Sequence, residues 1–97
     1  MKNIRRNVVK IKIVLATINN VIGYRLLVVL APGNQEDISF YLNTRGISYE
    51  SINTIALKYG IIAIAPNFIL FPSETIALKF YNSNEIQSLL VMAKLTE

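Results

Sequence analysis

The side chains that could do chemistry in this sequence are few, and their types exclude most kinds of active site. The 97 residues contain no cysteine and no histidine. Thiolate chemistry, disulfides, Cys/His metal sites and the side chain most often used for proton transfer near neutral pH are therefore absent. Of the six carboxylates only Glu36 and Asp37 are adjacent. We expect this pair in the first turn of a helix, and we expect a protein that is not an enzyme and binds no metal or cofactor.

The basic side chains are concentrated at one end of the chain. Residues 1–34 contain six basic residues and no acidic residue, whereas residues 35–97 contain four basic and six acidic residues. The first part therefore carries a net charge of +6 and the second a net charge of −2. A cation-only end on a small domain is typical of a protein that binds a polyanion such as nucleic acid. A solvated basic face that only aids solubility is the alternative interpretation.

Membrane insertion and secretion are both disfavoured by the sequence. The apolar stretch 8–18 is interrupted by Lys10 and Lys12, which argues against a secretory signal. The second apolar stretch, 61–71, is about half the length of ~20 residues that a spanning helix needs, and it contains Pro66. We therefore expect no membrane span.

The first element is predicted to be a helix. Apolar residues recur at steps of three and four over about five turns, as a helix with one apolar face requires. They are Ile4, Val8, Ile11, Leu15, Ile18 and Ile22. Such a helix would place Lys2, Arg5 and Lys12 on another face. Residues 9–13 also alternate like a strand, and we prefer the helix because its pattern is longer.

The remaining elements predict a sheet covered by helices. Strands are expected at 24–31, 47–52, 61–65, 68–71 and 75–80, the first buried on both faces. Helices are expected after an Asn34 cap up to Gly46, at 55–59 after an Asn53–Thr54 cap, and after an Asn84 cap with Gln87 at the capping-box position. The order α-β-α-β-α-β-β-α predicts an α/β (α+β) fold. We expect a single domain over residues 1–97, with a mixed central sheet of about four strands.

Several segments together resemble a ribosomal protein family. They read "NVVKIKIVLATI", "LLVVLAPGN", "SINTIAL", "FPSETIALKF" and "LLVMAK". In this order they are similar to the N-terminal domain of the large-subunit ribosomal protein L-ten family, the stalk-base protein. The sequence departs from the family pattern at Ile52, where Lys or Arg is usual, and at Phe71, where Gly is usual.

The resemblance implies a structural constituent of the large ribosomal subunit, acting in translation. Its expected partners are ribosomal RNA at the stalk base and neighbouring large-subunit ribosomal proteins. Contact with RNA would run through a basic N-terminal helix and an Asn-Thr turn. The family's long C-terminal helix, which carries the acidic stalk dimers, has no counterpart before Glu97. We therefore expect no recruitment of stalk dimers through this chain's own C-terminus.

The candidate RNA-binding residues combine phosphate-neutralising cations with two small polar residues. They are Lys2, Arg5, Arg6, Lys10, Lys12, Arg25, Arg45, Asn53, Thr54 and Lys58. The cations would dominate affinity and make it salt-dependent. The Asn53–Thr54 turn would offer hydrogen bonds to phosphate or ribose and a helix N-terminus that favours an anion. A plain helix cap is the alternative interpretation of that turn.

A second functional class stays open at this point. A small domain that is 53% hydrophobic could be a non-catalytic protein-interaction or peripheral membrane subunit of another complex. Its expected contact patch is the apolar segment 61–71. The heavy use of Ile (15 residues) and Asn (10 residues) suggests AT-rich coding. Together with the family resemblance, this bias favours a mitochondrial ribosome, with a plastid or a reduced bacterium as alternatives.

Overall fold

The protein is described here by a computed structural model covering residues 10–31, 33–61, 63–65 and 68–95. Five strands and four helices occur in the described part of the chain. In order they are β1 (Lys10–Ile18), β2 (Val21–Ala31), β3 (Asn34–Asp37), α1 (Ile38–Asn43), α2 (Tyr49–Leu57), β4 (Ala63–Ala65), β5 (Phe68–Leu70), α3 (Glu74–Asn82) and α4 (Asn84–Leu95).

The segment predicted as the first helix is a β-strand over its described residues. β1 pairs antiparallel with β2 from Lys10↔Val29 to Ile18↔Val21. A two-residue turn connects them, with Asn19 and Asn20 at φ 51° and 69°. Asparagine tolerates this left-handed region, and such turns join paired strands well. The helix prediction failed because β-branched residues and the Asn-Asn turn favour a long hairpin over a helix.

The sheet is antiparallel throughout, and not mixed as predicted. β3 pairs with the opposite edge of β2, in the order β1-β2-β3. Further along the same edge, Tyr24 and Phe71 exchange two backbone hydrogen bonds of 2.9 and 2.8 Å, which place β5 beside β2. β5 pairs in turn with β4. The predicted strand at 24–31 and the pair of short strands near 61–71 are thus confirmed, with β2 starting at Val21.

The four helices pack together over one face of the sheet. α1 and α3 contact β2, and α4 contacts the other three helices. The core between the layers contains Leu26, Val28, Ile38, Tyr41, Leu42, Ile52, Ile69, Phe71, Phe80, Ile86 and Leu90. β2 buries Leu26 and Val28 while alternate residues are only half-buried, so the expected burial on both faces is wrong. The α+β class, with a sheet covered by helices, is confirmed.

Two predicted strands are helices because serine caps outweigh short apolar alternation. Residues 49–52 begin α2, where Ser48 Oγ accepts a hydrogen bond of 3.1 Å from the Ser51 N–H. Residues 75–80 lie within α3, where Ser73 Oγ accepts one of 3.1 Å from the Ile76 N–H. A serine at the N-cap satisfies a helix donor that would otherwise be unpaired.

The caps of the other two helices also differ from the prediction by a few residues. Asp37, and not Asn34, caps α1, because residues 34–37 form β3. Ser83 Oγ accepts a hydrogen bond of 3.2 Å from the Ile86 N–H at the start of α4, while the Gln87 amide donates to the Tyr81 carbonyl. Gly46 does adopt a left-handed conformation after α1, at φ 100°, as predicted.

Candidate nucleic-acid interface

Two exposed lysines lie side by side on the face of the sheet that the helices leave uncovered. Lys10 and Lys12 occupy alternate positions of β1, so their side chains project from the same face. The intervening Ile11 and the following Ile13 project from the other face and pack against the core. We call the side that carries Lys10, Lys12 and Arg25 the lysine face.

Lys10 and Lys12 are available to an external anion. Within the described part of the chain, neither ammonium forms an ion pair or a side-chain hydrogen bond. Lys12 is opposite Leu27 on β2, and Leu27 is in turn opposite Asp37 on β3. The carboxylate in this row is therefore two strands away from Lys12, and it is already bonded to other groups.

Arg25 belongs to the lysine face but is held by intramolecular contacts. Its Nε lies 3.2 Å from Asp37 Oδ2, and its guanidinium carbon lies 5.2 Å from the centroid of the Phe68 ring. Cation–π contact and ion pairing both keep a guanidinium in place. Arg25 therefore helps to organise this face and is less available to a phosphate than the two lysines.

Arg45 and Lys58, which were predicted to bind RNA, lie in the helical layer. The Arg45 guanidinium stacks over the Tyr41 ring at 3.8 Å and donates hydrogen bonds to the Tyr41 carbonyl and Thr44 Oγ1. Lys58 Nζ lies 2.6 Å from Glu85 Oε2, and this hydrogen bond raises the pKa of Lys58. The structure does not bring these two cations together with Lys10 and Lys12.

Asn53 and Thr54 do not form the predicted turn, so they do not provide the predicted anion site at a helix N-terminus. Both residues lie inside α2, whose N-terminus is at Ser48, because the helix starts before them. Thr54 Oγ1 donates a hydrogen bond of 2.8 Å to the Glu50 carbonyl one turn earlier, and Asn53 is half-buried. Neither residue caps a helix, so the proposed contacts to phosphate or ribose lose their geometric basis.

The remaining cations of the predicted site, Lys2, Arg5 and Arg6, lie outside the described residues.

The predicted protein-contact patch includes residues of the core. In the apolar segment 61–71, Ile69 and Phe71 belong to the core and Leu70 is also buried. Residues 69–71 of that segment are therefore interior and offer no contact patch to a partner.

Sequence reasoning missed the contacts that organise the lysine face. Phe68 and Asp37 hold Arg25, yet they lie 43 and 12 residues from it in the chain. The Asn19–Asn20 pair between apolar runs was the one local signal, since it marks a hairpin turn. Recognising that hairpin would have placed Lys10, Lys12 and Arg25 on one face by strand alternation alone.

Comparison with protein-family models, with curated proteins and with solved structures finds no match to this chain. The candidate interface therefore rests on geometry and charge alone. Among the described residues, no helix is long and apolar enough to cross a membrane.

Proposed function

We propose that this chain is a non-catalytic RNA-binding protein that contacts phosphates through its lysine face. The observation that carries the proposal is the pair of exposed, unpaired ammonium groups of Lys10 and Lys12. They belong to a segment, residues 1–34, that contains six cations and no carboxylate. A cluster of one sign of charge without local compensation attracts a polyanion and increases its rate of association.

The particle that we propose is the large subunit of an organellar ribosome, with the protein as a structural constituent. The support for this step is the sequence resemblance to the stalk-base family together with the excess of cations at the N-terminal end. Alternate residues on a strand are about 7 Å apart, so both ammonium groups can neutralise phosphates of one backbone. Contacts of this kind position a protein on RNA without reading its sequence.

The first test is the salt dependence of RNA binding. Lys10→Gln/Lys12→Gln removes both lysines of the lysine face, and Lys79→Gln/Lys94→Gln removes the same charge from α3 and α4 as a matched control. Binding to a fluorescent RNA hairpin is followed by anisotropy between about 50 and 200 mM salt. Each phosphate contact contributes about 0.7–0.9 to the slope of log K against log salt. We expect the first variant to lower this slope by about 1.5 and the control to leave it nearly unchanged.

Two results would contradict the lysine-face proposal. Equal loss in both variants would mean that net charge alone drives binding. An unmodified protein that fails to bind at low salt would exclude RNA binding altogether. The particle is tested separately by sedimenting native lysate with and without RNase. Co-sedimentation with the large subunit that RNase abolishes supports a ribosomal protein, whereas a nuclease-resistant complex contradicts it.

A second candidate function rests on exposed apolar side chains in the helical layer. Val91, Met92 and Leu95 are exposed on α4 although each could bury apolar surface. Residues three and four apart share one side of a helix, so Leu95 lies beside both others. A protein-interaction subunit would use such a stripe, and a nuclease-resistant complex in the sedimentation experiment would favour this function.

A further inference from the structure

The middle of the lysine face is apolar. Leu27 is directly opposite Lys12, and Val29 is directly opposite Lys10. Residues directly opposite in an antiparallel pair project from the same face, so both apolar side chains lie beside the lysines. Both are half-buried and still present apolar surface to solvent. The lysine face therefore combines a row of cations along β1 with an apolar strip along β2.

The apolar strip ends at a planar cation whose orientation is fixed. Arg25 lies two residues before Leu27 on β2 and projects from the same face. Its guanidinium carbon is 5.2 Å from the centroid of the Phe68 ring, and its Nε donates a hydrogen bond of 3.2 Å to Asp37 Oδ2. The ring and the carboxylate together restrain the plane of the guanidinium, while 31% of the Arg25 side chain stays exposed.

Most hydrogen-bond donors of Arg25 are not used by the described residues. A guanidinium carries donors on all three of its nitrogens, and in the described part of the chain only Nε has an acceptor. The donors on Nη1 and Nη2 are therefore left for another molecule. An exposed guanidinium of this kind can stack on a nucleobase with its plane and donate to a base oxygen with its edge.

We propose that the lysine face binds single-stranded RNA, with phosphates along Lys10 and Lys12 and an unpaired base stacked on Arg25. This inference rests on the RNA binding proposed above and adds the class of RNA that is bound. Lys12 and Arg25 are diagonal neighbours on paired strands, at a separation of about 7–8 Å. One nucleotide can therefore place its phosphate on Lys12 and its base on Arg25.

The apolar strip favours an unpaired strand over a duplex. In duplex RNA the bases are paired and stacked inside the helix, which presents phosphates and ribose hydroxyls to a protein surface. An unpaired base presents an aromatic face that can cover apolar surface and stack on a guanidinium. Leu27, Val29 and Arg25 would thus gain contacts from a single strand, whereas the two lysines would attract either form.

The test compares three RNA probes on the full, unmodified chain by fluorescence anisotropy at one low salt concentration. The first is a labelled strand of about 12 nucleotides without self-complementarity, a length within the range of single-strand sites. The second is the same strand annealed to its complement. The third is an abasic strand with the same label and the same number of phosphates.

The three probes separate base stacking from charge. We expect the single strand to bind at least about fivefold more tightly than the abasic strand, because each stacked base adds affinity. We also expect the single strand to bind more tightly than the duplex. Charge alone would give the opposite order, since the duplex has the higher density of phosphates.

Replacing Arg25 by lysine tests the stacking residue itself. Arg25→Lys keeps a positive charge beside Asp37 but removes the planar group. We expect it to lower the preference for the single strand over the abasic strand at least about threefold, with the salt dependence of binding unchanged. Arg45→Lys is the matched control, because the Arg45 guanidinium also lies over an aromatic ring, that of Tyr41 at 3.8 Å, but among the helices. It should leave the preference unchanged.

Several outcomes would overturn this inference. Equal binding of the single strand and the abasic strand would exclude base stacking and leave the phosphate contacts of the lysines intact. Tighter binding of the duplex would assign the lysine face to paired RNA. Equal effects of Arg25→Lys and Arg45→Lys would remove Arg25 from the site.

Failure of the RNA-binding function itself gives a different result, because then none of the three probes binds at low salt. The probe comparison uses only the unmodified chain, so it decides the class of RNA even if Arg25→Lys does not fold.

Discussion

The Arg25 guanidinium Nε lies 3.2 Å from Asp37 Oδ2, and this ion pair joins the central strand to the start of α1. The Asp37 carboxylate is almost fully buried, and its other oxygen accepts hydrogen bonds from the Ser39 N–H at 3.0 Å and Ser39 Oγ at 2.7 Å. One side chain therefore caps the helix and holds the arginine of the lysine face.

Replacing Asp37 by alanine should destabilise the fold. The variant loses the cap of α1, which contributes about 0.5–2 kcal/mol, and it leaves Arg25 and Ser39 without their acceptor. We expect the free energy of unfolding to fall by about 2–4 kcal/mol. Urea denaturation followed by circular dichroism measures the change.

Asp37→Asn is the matched control for that variant. The amide oxygen still accepts hydrogen bonds from Ser39, so only the charge and part of the contact to Arg25 are lost. We expect a loss of about 1 kcal/mol or less. Equal losses for Asn and Ala would show that the charge of Asp37, and not its capping hydrogen bonds, stabilises α1.

The stability contribution of Asp37 should decrease as pH rises. Burial raises the pKa of Asp37 from its ordinary value of 3.8, and the hydrogen bonds from Ser39 and the charge of Arg25 only partly oppose this. The folded chain therefore holds this proton more tightly than the unfolded chain does. The contribution is fully present below the unfolded pKa and is lost as pH rises through the raised folded pKa.

The pH effect of Asp37 is isolated by comparison with Asp37→Asn, which does not titrate at this position. We expect the free energy of unfolding of the unmodified chain, relative to the variant, to decline as pH rises from below 3.8 through the raised pKa of the folded chain. Denaturation curves at matched pH and ionic strength provide the difference. An increase with pH would mean that the ion pair with Arg25 outweighs desolvation of the carboxylate.

The sequence predicted which residues are buried better than it predicted the helices and strands that contain them. In the helix predicted between Asn34 and Gly46, the apolar residues Ile38, Tyr41 and Leu42 fall at helical spacing, and all three are buried in α1. After the predicted Asn84 cap, the apolar residues at helical spacing are Ile86, Leu89, Leu90 and Ala93. All but Leu89 are buried in α4, and Leu89 is half-buried against the core. Apolar spacing over a whole helix records its buried face directly, so such predictions survive errors in the caps.

Short amphipathic stretches were ambiguous because a pattern over six residues fits both the period of a strand and the period of a helix. The segment 75–80 alternates at Ile76, Leu78 and Phe80, but only Phe80 is buried while Leu78 is exposed. Spacing of four between Ile76 and Phe80 was the relevant pattern. The preceding Ser73 was the decisive local signal, because a serine before an acidic residue starts a helix.

The candidate site was predictable in composition but not in geometry. The excess of cations in residues 1–34 can be counted, whereas the availability of each cation depends on distant residues. Lys58 is paired with Glu85, 27 positions later, and Arg25 with Asp37, 12 positions later. No local pattern contains such pairs, because the fold brings them together.

The aromatic cluster under α3 should be a major source of stability. The Phe80 ring is buried, lies 5.0 Å from the Phe71 ring and meets the Tyr59 ring edge-on at 5.8 Å. We expect Phe80→Ala to lower the free energy of unfolding by about 3–5 kcal/mol. Phe40, which is 37% exposed on α1, is the matched control, and Phe40→Ala should lose less than about 1.5 kcal/mol. Similar losses for both would contradict the described core.

The hairpin that carries the lysine face depends on the turn at Asn19 and Asn20. Asn20 has φ 69°, a region where a residue with a Cβ is strained by about 1–2 kcal/mol, although asparagine is tolerated there. Asn20→Ala should therefore reduce the free energy of unfolding by about 1 kcal/mol. Asn20→Gly should leave it unchanged or raise it by about 0.5 kcal/mol, because glycine adopts this conformation freely.

Hydrogen exchange of the β1 amides locates this effect in the hairpin. Exchange in Asn20→Ala should accelerate for the half of β1 next to the turn, because that half is held mainly by its pairing with β2. The core helix α4 should exchange at the unmodified rate unless global unfolding dominates. If Asn20→Ala and Asn20→Gly weaken the hairpin equally, loss of the Asn20 side chain, and not the backbone angle at this position, would explain the effect. The strain at φ 69° would then not explain why asparagine occupies this position.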